Sequence, residues 1–191
     1  MDLTEKYDGL IIDCDGTLTD SMPLHFVAWR DTLAKHSIDF SEERFYAMGG
    51  MPTDQIVSVL SKEQSVQVDA KSVAAEKEQA FIANIKALKP KNEVCEIVRQ
   101  YVGKIPLAVA SGSERDTVIL QLQMIGLTKQ FDAIVAAEDT DKHKPEPDVF
   151  LKAAELLGVS PNKCLVYEDS PLGIQAAQAA GMDYVLSLIH I

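Results

Sequence analysis

Several classes of protein are made improbable by what this chain has little of. Of its 191 residues only three are cysteine, Cys14, Cys95 and Cys164. Their number is odd and their spacing unpaired, so they read as reduced cytosolic thiols rather than a disulfide or zinc framework. Positive charge is scarce: 18 Lys and Arg against 29 Asp and Glu leave a net charge of −11. That balance argues against a nucleic-acid partner and against an anionic membrane surface, and any anionic ligand must be held by local cations. No apolar run approaches the roughly 18 residues of a membrane span. The opening stretch MDLTEKYDG has neither the basic region nor the apolar core of a signal peptide. A cytoplasmic monomer is therefore expected. There is no internal repeat and no low-complexity tract. What remains is ordinary for a globular protein, 47% hydrophobic and 25% charged, and long enough for one well-buried domain or one domain carrying an insertion.

Short apolar runs recur at 9–12, 105–110, 133–137, 164–167 and 184–189. Helical patterns lie between most of them, at 93–102, 115–125, 147–158 and 171–181. Pro147 and Pro171 open two of these helices, and Gly158 and Gly181 close the last two. Strands alternating with helices imply an α/β fold with a doubly wound, mainly parallel sheet. Residues 21–89 break that rhythm. Phe26, Trp29, Arg30 and Leu33, then Ile56, Val59 and Leu60, then Val73, Lys77, Ala80, Phe81, Ile85 and Leu88 recur at helical spacing. About 70 residues of helix are too many for a simple crossover. The expectation is an α/β core of residues 1–19 and 90–191 with an inserted helical cap of residues 20–89, hinged near Thr19–Pro23 and Leu88–Asn92.

The first apolar run ends in an unusual way, as LIIDCDGTLTD. In extended chain Asp13 and Asp15 point to one side and Cys14 to the other. Two carboxylates that close repel unless a cation lies between them or one holds a proton, so the pair suggests a metal site or a catalytic dyad. The other runs end comparably: IPLAVA on Ser111-Gly112-Ser113, AIVAA, after an acidic loop, on Lys142-His143-Lys144-Pro145, and CLVY on Glu168-Asp169-Ser170. Ligands of open parallel sheets bind outside the carboxyl ends of the strands. Acids, a hydroxyl with a glycine, a lysine and two more acids fit phosphoryl transfer. The carboxylates suit Mg²⁺, and an ion between Asp13 and Asp15 would relieve their repulsion. A carboxylate can attack phosphorus, while the hydroxyl, nearby N–H groups and the lysine can hold the equatorial oxygens.

These motifs, DCDGTLTD, ASGS, KPEPDVF and YEDSPLGIQAA, resemble the four motifs of the haloacid dehalogenase-like superfamily of phosphotransferases. More narrowly they resemble its branch with a helical cap after the first strand, which includes β-phosphoglucomutases and small sugar-phosphate phosphatases. The resemblance covers nearly the whole chain. It implies Asp13 as nucleophile, Asp15 as general acid/base, Ser111 and the Gly112 backbone holding the phosphate, and Lys144 pairing with phosphate and nucleophile. Asp13, Glu168, Asp169 and the Asp15 carbonyl would ligate Mg²⁺. Ser111 has an alternative as a helix N-cap, and Ser113 reads as the cap.

In the cap, His25 matches a hinge histidine of that branch, with a half-buried structural histidine as the alternative. Lys77 interrupts an apolar stripe and matches a cap lysine that reaches substrate; Trp29 reads as core. His143 and Cys14 are given no role. One departure bears on function: where the mutase pattern carries an arginine for the distal phosphate, the loop Gly49-Gly50-Met51-Pro52-Thr53 places Thr53. The expectation is thus a Mg²⁺-dependent phosphatase of a small phosphorylated sugar, with a phosphomutase as the alternative. A non-catalytic phospho-receiver is a more distant one, disfavoured by the second acid and the cap.

Overall fold

The computed structural model describes residues 2–187. Strands β1 (Gly9–Ile12), β2 (Leu107–Ala110), β3 (Ala133–Val135), β4 (Cys164–Glu168) and β5 (Asp183–Leu186) form one sheet in the order β3-β2-β1-β4-β5. Every pairing is parallel, with Leu10 beside Leu107 on one side and Leu165 on the other. The chain moves outward from β1 through β2 and β3, then returns to β4 on the opposite side, so the order reverses beside β1. That is where ligands of such sheets bind.

Helices α5 (Asn92–Tyr101), α6 (Arg115–Met124), α7 (Asp148–Leu157) and α8 (Pro171–Ala179) alternate with strands β2 to β5. Alternation along the strands builds two buried layers. Leu10, Ile12, Leu107 and Val109 meet Val94 and Val98 of α5 and Val118 and Leu122 of α6. Ile11, Ala108, Ala110 and Val166 meet Phe150 and Ala153 of α7 and Ala176 and Ala177 of α8. Cys14 is fully buried in the first layer, as its alternation with Asp13 requires. The expected strands 105–110 and 133–137 are shorter than read. Ile105 and Pro106 precede the ladder, and a 3₁₀ turn, Ala137–Asp139, takes over where the third strand stops. The fifth begins earlier, at Asp183, whose carboxylate accepts from Tyr7; Leu188 and Ile189 of the expected strand lie outside the described residues.

Between β1 and β2 the chain is helical: α1 (Met22–Lys35), α2 (Glu42–Ala47), α3 (Thr53–Glu63) and α4 (Ala70–Ala83), then a 3₁₀ turn Ile85–Ala87. Trp29, Leu33, Phe40, Phe45, Ile56, Leu60 and Val73 form their own apolar cluster. Phe81 and Ile85 instead join the layer beneath the sheet. The two connections to the sheet lie side by side: the Asp20 N–H donates to the Lys89 carbonyl and the Lys91 N–H to that of Leu18, both at 2.9 Å. Among the described residues, no helix is long and apolar enough to cross a membrane.

Candidate active site

Every site residue put forward from the sequence lines one cavity beyond the carboxyl ends of the strands, except Lys144, which is bonded to two of its liners. Asp13 continues the β1 ladder, its N–H donating to the Tyr167 carbonyl. Lys144 Nζ lies 2.6 Å from both Asp13 Oδ1 and Glu168 Oε2, with all three groups buried. The other Glu168 oxygen accepts from the Asp169 and Ser170 N–H groups and the Ser170 hydroxyl. Asp169 receives a hydrogen bond from Thr17 at 3.0 Å on Oδ1. Oxygens of Asp13, Glu168 and Asp169 lie within 4.8 Å of one another.

One cation faces three carboxylates here, and the proton affinities follow. Burial penalises the charge of Lys144, yet Asp13 and Glu168 outweigh it and hold the ammonium firmly protonated. Burial first and Glu168 second push Asp13 well up, and the same causes push Asp169 up to about 7. Negative charge is in excess, and all the donors are hard oxygens. A small divalent cation fits this set.

Asp15 is held quite differently. Oδ1 accepts from Ser21 at 2.8 Å and Gln121 at 2.8 Å and lies 2.8 Å from His25 Nε2, while Oδ2 accepts from Ser113 at 2.6 Å and, more distantly, Ser111. Burial raises its proton affinity, but His25, Ser113 and Gln121 more than offset that and keep the carboxylate ionised. The repulsion between Asp13 and Asp15 is thus relieved by separate partners, Lys144 for one and this ring of donors for the other. The Asp15 side chain stands outside the three-carboxylate cluster of Asp13, Glu168 and Asp169.

The ring extends into the helical segment. Lys77 Nζ lies 2.9 Å from His25 Nδ1. An ammonium only donates, so Nδ1 must accept and Nε2 carries the hydrogen that goes to Asp15. Burial, then the Lys77 charge, lowers the proton affinity of His25 and keeps it neutral. Its ring stacks on Phe81 with centroids 3.8 Å apart. Lys77 also donates to Glu78 Oε1 at 3.0 Å, which accepts from the Thr53 hydroxyl at 2.7 Å.

Gly112, which follows Ser111 past the end of β2, lies against the Gly50 loop of the helical segment. A Cβ at Gly112 would lie 2.8 Å from the Gly50 carbonyl oxygen, so only glycine lets the two loops touch. Ser113 corrects the expectation that it caps α6: the N-cap is Glu114, and Ser113 binds Asp15. Ser111 is not that cap either. Ser21, Gln121 and Glu78 were missed. Gln121 had a signal in the sequence, since it interrupts the stripe of Val118, Leu122 and Ile125 as Lys77 interrupts its own.

The profile of a family described as haloacid dehalogenase-like hydrolase matches residues 10–187. A fructose-1-phosphate phosphatase of Escherichia coli (strain K12) is 38% identical over 181 residues, covering 95% of this chain and 96% of the relative. A phosphorylated carbohydrates phosphatase of Thermotoga maritima is 29% identical over 187 residues, covering 96% and 86%. Among solved structures, a β-phosphoglucomutase from Clostridium difficile superposes with a TM-score of 0.85 at 25% identity, covering 94% of this chain and 84% of that one.

Proposed function

Because the chain belongs to the haloacid dehalogenase-like hydrolase family, we propose that it is a phosphatase that releases phosphate from a small phosphorylated sugar through an aspartyl-phosphate on Asp13. Similarity to phosphatases of fructose 1-phosphate and of phosphorylated carbohydrates supports the substrate class. The observation that carries the mechanism is the unequal dressing of two neighbouring aspartates. Asp13 has one oxygen fixed by Lys144 and no protein partner on the other among the described residues, which leaves an oxygen to attack phosphorus. Asp15 is ionised and aimed by its donors, suited to taking a proton from the water that cleaves the acyl-phosphate. Arrival of a dianionic phosphate raises its proton affinity by like-charge repulsion, so it takes up a proton from solvent as substrate binds and delivers it to the leaving oxygen in the first step. Ser111 and the Gly112 N–H are proposed to bind the transferring phosphoryl group together with Lys144.

Mg²⁺, when bound, would neutralise phosphate charge. Asp169 keeps an oxygen without a protein partner, and Asp13 Oδ1, the oxygen that does not attack, carries a single hydrogen bond, whereas Glu168 has three donors on one oxygen and Lys144 on the other. Asp13, Asp169 and the Asp15 carbonyl are therefore proposed as its direct ligands, with Glu168 acting through water and by holding Lys144. Residues 20–89 are proposed to act as a cap over a site built on residues 1–19 and 90–191.

A panel of sugar monophosphates assayed for phosphate release with millimolar Mg²⁺ tests the reading. Turnover is expected for hexose or pentose monophosphates, with Asp13→Asn retaining below about 1% of kcat, the scale of loss when a nucleophile is removed. Persistent turnover by Asp13→Asn would exclude the covalent route. The mutase alternative is favoured by the structural likeness to β-phosphoglucomutase; phosphorus NMR on glucose 1-phosphate with a bisphosphate primer decides between them, and free phosphate is expected to outpace glucose 6-phosphate.

A further inference from the structure

We infer that Glu78 makes the far wall of the cavity a receptor for neutral hydroxyl groups and closes it to a second phosphate. The inference deepens the phosphatase proposal and rests on it for the location of the transferred group.

Lys77 is the one ammonium or guanidinium group that the helical segment contributes to the cavity lining among the described residues. Its charge is already committed. One N–H goes to His25 and another to Glu78, and Nζ sits over the rings of Trp29 and Phe81, 5.3 and 5.5 Å from their centroids. Glu78 is buried, and the Lys77 charge and the Thr53 and Lys77 hydrogen bonds outweigh the burial penalty and keep it ionised. The far wall therefore has no net positive charge, and it faces an acidic floor.

The hydrogens point the same way. Thr53, which lines the cavity, has its hydroxyl hydrogen on Glu78 Oε1. Its oxygen can then only accept from a ligand. Glu78 Oε2 is buried with no hydrogen-bond partner, so the carboxylate that holds Thr53 and Lys77 keeps an unmet acceptor. A sugar hydroxyl can donate to such a wall. A phosphate dianion offers only acceptors and brings like charge against a carboxylate that cannot move away. Glu78 acts through Thr53 and Lys77, as a positioning residue for specificity. An arginine placed at position 53 would be neutralised by this carboxylate and would not by itself build a phosphate site.

Calorimetry with the Mg²⁺-loaded protein tests this without relying on turnover, using a hexose monophosphate and the corresponding bisphosphate as probes on the Asp13→Asn background. The monophosphate is expected to bind at least about tenfold more tightly, and Glu78→Gln to narrow that ratio by about tenfold, chiefly by strengthening the bisphosphate. Equal or tighter bisphosphate binding by the unsubstituted wall overturns the inference, as does a Glu78→Gln change that weakens both ligands alike, the mark of a merely structural role. Should Glu78→Gln not fold, Thr53→Val serves: it is expected to weaken the monophosphate several-fold and leave the bisphosphate unchanged, and parallel losses overturn the inference. Hydrolysis of an aryl phosphate too small to reach Thr53 is measured alongside. Its absence counts against the phosphatase reading alone, while the binding ratio still decides the role of Glu78.

Discussion

Asp169 and His25 titrate in opposite senses on folding, and the difference can be measured. Asp169 binds its proton more tightly in the folded chain, at about 7 against the ordinary 3.8. Without metal, its contribution to stability is fully present below pH 4 or so and is lost as the pH rises through about 7. Asp13 adds to the same trend. His25 is held neutral, so its charging in the unfolded chain lowers stability as pH falls below its ordinary value of 6.5. A cation on the carboxylates acts on the first trend and leaves the second. The rise in thermal midpoint on adding millimolar Mg²⁺ is therefore expected to be larger at pH 8 than at pH 6, read by calorimetry with a chelator control; an equal rise at both would show that the carboxylates are not its site. Much of this cluster was legible in the sequence because acids ending apolar runs have no structural use there. The ring around Asp15 was not, since residues 21, 25, 113 and 121 converge only in three dimensions and Ser21 and Ser113 look like ordinary loop serines.

Among the elements, α8 shows how a helix fixes a pair of acids. Ser170 caps it, accepting from the Gly173 N–H, and Pro171 opens it. The first turn presses on β4 so closely that a Cβ at Gly173 would lie 2.0 Å from Glu168 Cδ. Replacing glycine by alanine within a helix ordinarily stabilises by up to about 1 kcal/mol. Here Gly173→Ala is expected to reverse that sign, destabilising by about 2 kcal/mol through overpacking and disturbing Glu168 and Lys144 with it. Denaturant unfolding read beside kcat checks this, and a stabilised, fully active variant would show that the helix can simply shift. The sequence announced this helix through Pro171 and Gly181, and α7 through Pro147 and Gly158, which adopts the left-handed conformation. It did not announce the reason for Gly173, because its neighbour is a residue of the preceding strand.

At the scale of the whole molecule, β1 lies at the centre of the sheet, yet its partners are far along the chain: Leu10 pairs with Leu107 and with Leu165. Such an order was expected from alternating strands and helices, but no apolar pattern states which strand is central. Nor does it reveal that the two connections to the helical segment hydrogen-bond to each other. That pairing has a kinetic consequence. Closing a loop of nearly a hundred flexible residues costs entropy before any sheet contact compensates it. If the helices between Asp20 and Lys89 collapse on their own apolar cluster, the connections come together and the effective loop shrinks from nearly a hundred residues to fewer than thirty. The bridge then acts as a clasp that delivers β2 to β1. Lys91→Pro removes the N–H that donates to Leu18 while keeping a backbone angle proline accepts, φ −83°. In stopped-flow refolding it is expected to slow folding several-fold and to change unfolding little; the opposite partition would mean that the clasp closes only after the sheet has formed.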